Sequence, residues 1–412
     1  MDGTLNRSFA SLRIPNYRRF FVGQLVSISG NWMQTVAEIW VILTLTGSGL
    51  AVGFVTALQF VPLLLVGAWG GLIADRVPKL RLLITTQALH VLPPLALFAL
   101  AATGGLSPIA VYGAVFARGV VNAVDYPTRQ AFVMEIVGAD RVVNAVSLNS
   151  VLIHAARIAG PAIAGLLIAT VGVEPCFALN AATFAVMIAA LAGMDADALR
   201  PAALAPRRAG AVRAGLGYVR ATPQLWIPLG LMAIVGTLGF NFQAILPLLA
   251  RFTFDGGASA YAALVTAMGI GALVGALANG ARATVTPALL AGAAIGFGAL
   301  ALLAAGAPSL GLEMLVLAPL GAASVTLAAS VNSALQLASE PQMRGRVMAL
   351  YSVVFLGSTP IGAPLAGWLS ESIDPRAALV MAGAAALVGG ILARVAFKRA
   401  RPAPLGASAR AT

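Results

Sequence analysis

Residues 50–81 read LAVGFVTALQFVPLLLVGAWGGLIADRVPKLR. No charged residue occurs from Leu50 to Ala74, and Asp75, Arg76, Lys79 and Arg81 then follow within seven positions. About 20 consecutive apolar residues are what a helix needs to cross a bilayer. Basic residues beyond the end of such a run mark a loop on the cytoplasmic side. The pattern repeats outward in both directions. Apolar runs fall at about 20–46, 50–74, 80–103, 108–124, 146–171 and 175–193, and again at about 224–250, 259–280, 285–305, 310–334, 347–370 and 376–397. The chain of 412 residues is 59% hydrophobic and only 10% charged. A soluble protein carries about a quarter charged residues. This much apolar surface exceeds what one soluble core hides, so the reading is a multi-pass membrane protein in contact with the lipid bilayer.

The net charge of +12 does not point to nucleic acid, because the basic residues lie between the apolar runs instead of forming one patch. With the N-terminus inside, 22 of the 26 Lys and Arg fall in cytoplasmic segments and only Arg251 and Arg376 in outer loops. That asymmetry places both termini in the cytoplasm, with the bacterial inner membrane as the expected location. Cys176 is the one cysteine, which excludes an internal disulfide, and two histidines are too few for a Cys/His metal cluster. The first apolar run is too long for a signal peptide.

The one long polar stretch between the two sets of six runs spans 194–222 and holds Arg200, Pro201, Pro206, Arg207 and Arg208. It reads as a cytoplasmic linker with a short surface helix near 210–220. The halves echo each other: Gly71 and Gly275 are 204 residues apart, Pro161 and Pro364 203, Gly165 and Gly367 202. The expected organisation is an N-terminal six-helix bundle at 1–193, a linker at 194–222, and a C-terminal six-helix bundle with a basic tail at 223–412.

Polar residues inside the spans recur at helical spacing. Gln24, Ser27, Asn31, Gln34 and Glu38 line one face of the first span. Such a face is costly in lipid, so it turns inward, either as interhelical hydrogen bonding or as the wall of a substrate cavity. Glu38 reads as the one acid well inside a span, and an acid there is a candidate for proton coupling. The fourth span carries Arg118, Asn122, Asp125 and Arg129 on one face; Arg118 either balances Asp125 or holds an anion. The fifth carries Ser147, Ser150, His154, Arg157 and Pro161. Arg157 falls near mid-membrane and needs an anionic partner, which a substrate in the cavity would supply; His154 reads either as a hydrogen-bonded packing residue or as a cavity residue and second proton candidate, and His90 as structural. In the second half, Asn241, Gln243, Asn332 and Ser333 are weaker cavity candidates. Gly160, Pro161, Gly165, Pro364 and Gly367 permit close helix approach and bending. No phosphate loop, zinc-protease motif or nucleophile elbow occurs.

Gly71-Leu-Ile-Ala-Asp75-Arg76-Val-Pro78-Lys79-Leu-Arg81 resembles the loop motif of the major facilitator superfamily. Arg118 is similar to its buried span-four arginine, and Gly160-Pro161 with Gly165 to the motif of antiporting exporters. The runs Gly23-Gln24-Leu-Val-Ser27, Asn31-Trp32-Met-Gln34, Asn122-Ala-Val-Asp125-Tyr-Pro127-Thr-Arg129, Asn144-Ala-Val-Ser-Leu-Asn149-Ser150 and Arg344-Gly345-Arg346 resemble the secretion-type efflux branch that contains the enterobactin exporter. The resemblance implies an all-α fold of twelve transmembrane helices in two bundles related by pseudo-two-fold symmetry. It also implies a latch between states, in which Gly71, Asp75 and Arg76 meet the start of span eleven after Arg346. The expected function is proton-coupled export of a small amphiphilic or anionic metabolite, siderophore or drug, by a monomer working by alternating access. No catalytic residue, metal or cofactor is expected. An importer, a lipid-moving transporter or a receptor remains open at this point. A reporter domain fused after Thr412 should be accessible only from the cytoplasm; accessibility from outside would reverse the orientation.

Overall fold

The computed structural model describes residues 10–200, 211–280 and 285–400. Backbone amides in hydrocarbon find no water to bond, so a spanning chain satisfies them within helices. Among the described residues the structure is helical with no strand. Helices α1 (Pro15–Thr46), α2 (Gly49–Leu58), α3 (Val61–Arg76), α4 (Lys79–Ala102), α5 (Pro108–Val137), α6 (Val142–Thr170) and α7 (Glu174–Ala192) make the first half. Helix α8 (Ala211–Ala221) precedes α9 (Pro223–Leu238), α10 (Phe242–Leu248), α11 (Ala258–Gly280), α12 (Pro287–Ala305), α13 (Leu310–Ala338), α14 (Arg344–Gly357), α15 (Thr359–Ser372) and α16 (Pro375–Arg399). Their starts follow local chemistry. Proline opens α1, α5, α9, α12 and α16, where its missing N–H costs nothing. The side chains of Ser107, Thr286, Ser309 and Asp374 each accept from a backbone amide at the N-terminus that follows.

Each expected apolar run falls on helix, with differences at the breaks. The second run is two helices, α2 and α3, parted at Gln59–Phe60 just before Pro62. The seventh is α9 and α10, parted around Gly239–Asn241 and ending in a π-turn at Leu249–Thr253. The eleventh bends at Ser358. The fourth does not stop near 124 but continues as α5 to Val137. Among the described residues ten helical segments are long and apolar enough to cross a membrane. Helices α1 and α5 are not among them; they carry the polar stripes, which lower their hydropathy. The surface helix expected near 210–220 is α8, while Arg7, Arg207, Arg208, Arg282, Arg401 and Arg410 lie outside the described residues.

The chain divides into two compact units, which exchange two short segments relative to the expected bundles. The first takes the described residues of Met1–Gly47, Leu58–Ala205 and Gly257–Thr266; the second takes those of Ser48–Ala57, Pro206–Gly256 and Ala267–Thr412. In the first unit Tyr17, Phe20, Leu83, Phe132, Ile136, Leu148, Met187 and Leu191 form one buried cluster, joining α1 and α4–α7. The Tyr17 hydroxyl inside it donates to the Ala145 carbonyl at 2.9 Å. Gly160 sets α6 directly on α1: a methyl there would sit 2.6 Å from Trp32 Cβ. A methyl on Gly165 would overlap Ala262 of the exchanged segment, and Pro161 is buried beside these crossings.

In the second unit a methyl on Gly367 would overlap the Gly49 carbonyl of α2, and Gly53 lies against Ala363 and Pro364. Glu371 completes that crossing, accepting from Ser48 Oγ at 2.7 Å and from the Leu50 amide at 3.0 Å. A carboxylate at the positive end of α2 is favourable. Small residues are what allow such approach where lipid tails remove the hydrophobic drive between helices.

Gly160→Val should therefore lower stability by about 1–3 kcal/mol, the usual cost of overpacking. Gly292→Ala, where a methyl meets nothing within 4 Å, should leave it unchanged or raise it. Thermal unfolding of the purified proteins in detergent compares the two.

Candidate functional site

Helix α1 supplies the inward stripe. Gln24, Ser27, Gln34 and Glu38 are buried, and Asn31 is half-buried. At its centre Arg118 Nη2 of α5 donates to Glu38 Oε2 at 2.6 Å. Glu38 is 0% and Arg118 5% exposed, so this is an ion pair inside the protein. Gln34 Nε2 donates to the other carboxylate oxygen, Oε1, at 2.7 Å. Gln34 Oε1 accepts from Asn180 of α7, and Asn180 Oδ1 accepts from Thr183 Oγ1 at 2.9 Å. One hydrogen-bonded chain thus runs from α5 through α1 to α7. Asn180 and Thr183 are not among the expected site residues; their spacing of three puts them on one face of α7 and is the signal that could have found them. Arg118 Nη1, Ser27 Oγ and Gln24 Oε1 have no protein partner, while Gln24 Nε2 donates to Asn149 Oδ1 of α6 at 3.0 Å.

Asp125 is not the partner of Arg118. Its Oδ2 accepts from Arg129 Nε at 2.9 Å and Nη2 at 2.7 Å; its Oδ1 accepts from Thr86 Oγ1 and Gln87 Nε2, each at 2.7 Å. That saturates the carboxylate and ties α5 to α4. Asn122 is spent on the same contact, its Oδ1 lying 3.1 Å from His90 Nε2. The His90 ring stacks on Phe184 at 5.2 Å between centroids. A third buried pair joins Lys79 to Glu135 at 2.7 Å. The expectation that Glu38 would be the one acid deep in a span does not hold. Asp125 is buried because α5 runs on past it, and Glu313 is fully buried in α13.

Arg157 of α6 lies over the Trp32 ring of α1, with its guanidinium carbon 5.2 Å from the ring centroid. No carboxylate comes within ion-pairing distance of it among the described residues. Gly160, three residues on, is what brings α6 close enough for this cation–π contact. His154, one turn before Arg157, is half-buried with Nδ1 unpartnered. Ser147 and Ser150 are exposed.

In the second unit Asn241 stands at the N-cap position of α10 but its side chain does not cap the helix; its Nδ2 donates back to the Thr237 carbonyl at 2.7 Å, beside Gly362. Asn332 Oδ1 accepts from Gln336 Nε2 at 2.6 Å; Gln243 and Ser333 are half-buried. Gly71 is half-buried near the end of α3, with Asp75 and Arg76 exposed after it. Arg346 lies in the first turn of α14, its Nη1 3.3 Å from Met343 Sδ.

Three ion pairs and an arginine stacked on an indole, set among long apolar helices, are the makings of a transport path. The family profile described as transmembrane secretion effector matches residues 6–407. The chain belongs to this family, within the major facilitator superfamily. It is a multi-pass membrane transporter of small molecules and not an enzyme. A staphyloferrin A transporter of Staphylococcus aureus is 27% identical over 263 residues, which is 63% of this chain and 65% of that protein, so the match leaves about a third of that relative uncovered. An enterobactin exporter of Escherichia coli is 26% identical over 393 residues, covering 92% of this chain and 91% of its own. Among solved structures, a POT family transporter with 5-aminolevulinic acid superposes with a TM-score of 0.74 at 11% identity, over 93% of this chain and 96% of its own. An inward-facing, unoccupied bacterial homologue of the lysosomal transporter Spinster gives 0.72 at 14% identity, over 94% and 98%. These structures share the fold.

For this transporter Arg118→Ala strands Glu38 without its cation. Removing one partner of a buried pair costs about 3–5 kcal/mol. The double variant Glu38→Gln/Arg118→Gln should recover part of that loss, and a double-mutant cycle of thermal unfolding measures it.

Proposed function

We propose that the chain exports a small anionic or amphiphilic metabolite of the siderophore class across a bacterial inner membrane, by alternating access driven by the inward flow of protons. The observation that carries this reading is Arg157. Its guanidinium is fixed over Trp32 and lacks a carboxylate, whereas the buried Arg118 and the half-buried Arg129 each have one. A permanently charged planar group stacked on an indole offers bidentate donors to a carboxylate or catecholate, with an aromatic surface beside them. Siderophore transporters are among the relatives, one named for staphyloferrin A and others for enterobactin.

Glu38 is the proposed coupling group and Arg118 its counter-ion. Ionised, Glu38 is held by Arg118 and Gln34. A proton arriving at Oε2 removes the charge that binds Arg118 and loosens α1 from α5; its departure restores the pair. Two arrangements of one element, biased by one proton, are what a coupled cycle requires. Arginine stays charged throughout and cannot carry the proton. Gln24, Ser27, Asn31, Gln34, Asn122, His154, Asn241 and Asn332 are the proposed cavity residues, of which Gln24, Ser27, His154 and Asn241 keep unpartnered polar atoms. The motif at Gly71, Asp75 and Arg76, with Arg346, is the proposed latch that biases the two states, and the protein works as a monomer.

The test is reconstitution in liposomes, with counterflow of a carboxylate siderophore, a catecholate siderophore and a neutral control, with and without a pH gradient. Arg157→Ala should weaken uptake of the anionic substrates about tenfold, the loss of roughly one charge-assisted contact of 1.4 kcal/mol or more, and leave the neutral control unchanged. Glu38→Gln should exchange substrate at equilibrium but no longer respond to the gradient. Gradient-driven transport by Glu38→Gln would remove Glu38 from the coupling.

A further inference from the structure

Four carboxylates are buried among the described residues: Glu38, Asp125, Glu135 and Glu313. The first three each have a cation within ion-pairing distance, at 2.6 or 2.7 Å. Glu313 has none. It is 0% exposed in the first turns of α13, and neither carboxyl oxygen has a hydrogen-bond partner. Its amide donates to the carbonyl of Ser309, whose hydroxyl caps the helix, so the position is held by regular backbone.

The surroundings are apolar. Helices α9, α11 and α12 pack on α13, α11 with Gly271 and Gly275 against Ala318 and Ala322; over Pro223–Leu238, Ala258–Gly280 and Pro287–Ala305 they carry no acidic, basic or histidine side chain, and Tyr261 is their one titratable group. Those of α14 are Arg344 and Arg346, with Tyr351. They lie toward the other end of α13: Arg344 Nε donates to the Gln336 carbonyl at 3.1 Å, and Gln336 is about 35 Å along the helix from Glu313 at 1.5 Å per residue. The cation that reaches this end of α13 is Arg376, at the head of α16. Its guanidinium is committed elsewhere, with Nη2 donating to the Ala307 carbonyl at 2.8 Å, six residues before Glu313. Asp374 caps the same turn by accepting from the Arg376 amide at 2.7 Å.

A glutamine or leucine would fill this site without the penalty of an acid. An ionised carboxylate cannot stay there unpaired, because neither water nor a donor solvates it. A cation one loop away, resting on a replaceable carbonyl, is the partner it would take on ionising. We propose that Glu313 is a second proton-binding site of the transporter, neutral where it is buried and ionised when Arg376 leaves the Ala307 carbonyl to pair with it. The proton passes from the carboxyl oxygen to water; the guanidinium gives up one carbonyl acceptor and gains a carboxylate. The site lies in the second unit and does not require that Glu38 carry a coupled proton.

Infrared difference titration of the full-length protein in liposomes reads the protonated carboxyl stretch directly. A band present at neutral pH should disappear in Glu313→Gln and persist in Glu38→Gln. In Arg376→Gln, which removes the ionised state's partner, the band should survive to higher pH than in the parent. If Glu313→Gln does not reconstitute, Glu313→Asp serves instead, since an aspartic acid must move the band to a new frequency. A neutral-pH band unchanged by either Glu313 variant overturns the proton site. A band lost in Glu313→Gln that titrates identically in Arg376→Gln and the parent overturns the exchange with Arg376. Loss of the band in Glu38→Gln alone would assign the proton to the first unit and overturn the proposal. Failure of the Glu38 coupling in the transport assay leaves all of these outcomes unaffected.

Discussion

The pairing of Glu38 with Arg118 is the constraint around which the first unit is arranged. A charge taken out of water into a low-dielectric interior is tolerated when an opposite charge and further hydrogen bonds meet it there. Arg118 lies in α5, Glu38 and Gln34 in α1, and Asn180 in α7, so solvating one carboxylate sets the distance and rotation of three helices. The same residues make α1 and α5 less apolar than the other spanning segments. They are kept from lipid by the helices packed around them, and an apolar pair would fill the space at lower cost. Their presence is consistent with the coupling role proposed for Glu38, which needs an interaction that one proton can break.

Close helix approach does the rest of the positioning. Gly160 lets α6 touch the backbone of α1, and that contact puts Arg157 over Trp32. Elsewhere Gly367 meets Gly49, and Gly165 meets Ala262. Dispersion forces fall off steeply with separation, so removing one methyl at a crossing converts directly into contact along the helices. Glu371 adds a charged cap to the crossing of α2 with α15, a polar contact at the exposed end of an otherwise apolar interface.

The comparisons fit a division of labour between apolar and polar residues. Structures only 11–14% identical share this fold over more than nine-tenths of the chain. Many apolar sequences satisfy the same demand for long helices with small residues at crossings. The few polar residues inside those helices carry the chemistry, and it is there that transporters of one fold come to differ.

How much was legible in the sequence follows from what periodicity can report. Apolar length and the placement of Lys and Arg established the spans, and spacing of three and four showed that Gln24, Ser27, Gln34 and Glu38 share one inward face. Spacing says which residues share a face, not what that face meets. Asp125 takes Arg129 and the α4 side chains instead of Arg118 because helices α4 and α5 lie together there. Breaks at Gln59–Phe60 and Gly239–Asn241 were hidden, since one polar residue at each, Gln59 and Asn241, does not end an apolar run. The exchange of Ser48–Ala57 and Gly257–Thr266 between units depends on glycine contacts between residues far apart in the chain, Gly49 with Gly367 and Gly165 with Ala262. The isolation of Glu313 is a tertiary fact of the same kind: one acid at the start of an apolar run looks like an interfacial residue until the neighbouring helices close around it without a donor. Sequence by itself determined where the chain must be helical and which faces avoid lipid, because those depend on local free energy of transfer. Only the tertiary structure decided which charge meets which, because that depends on distances between helices.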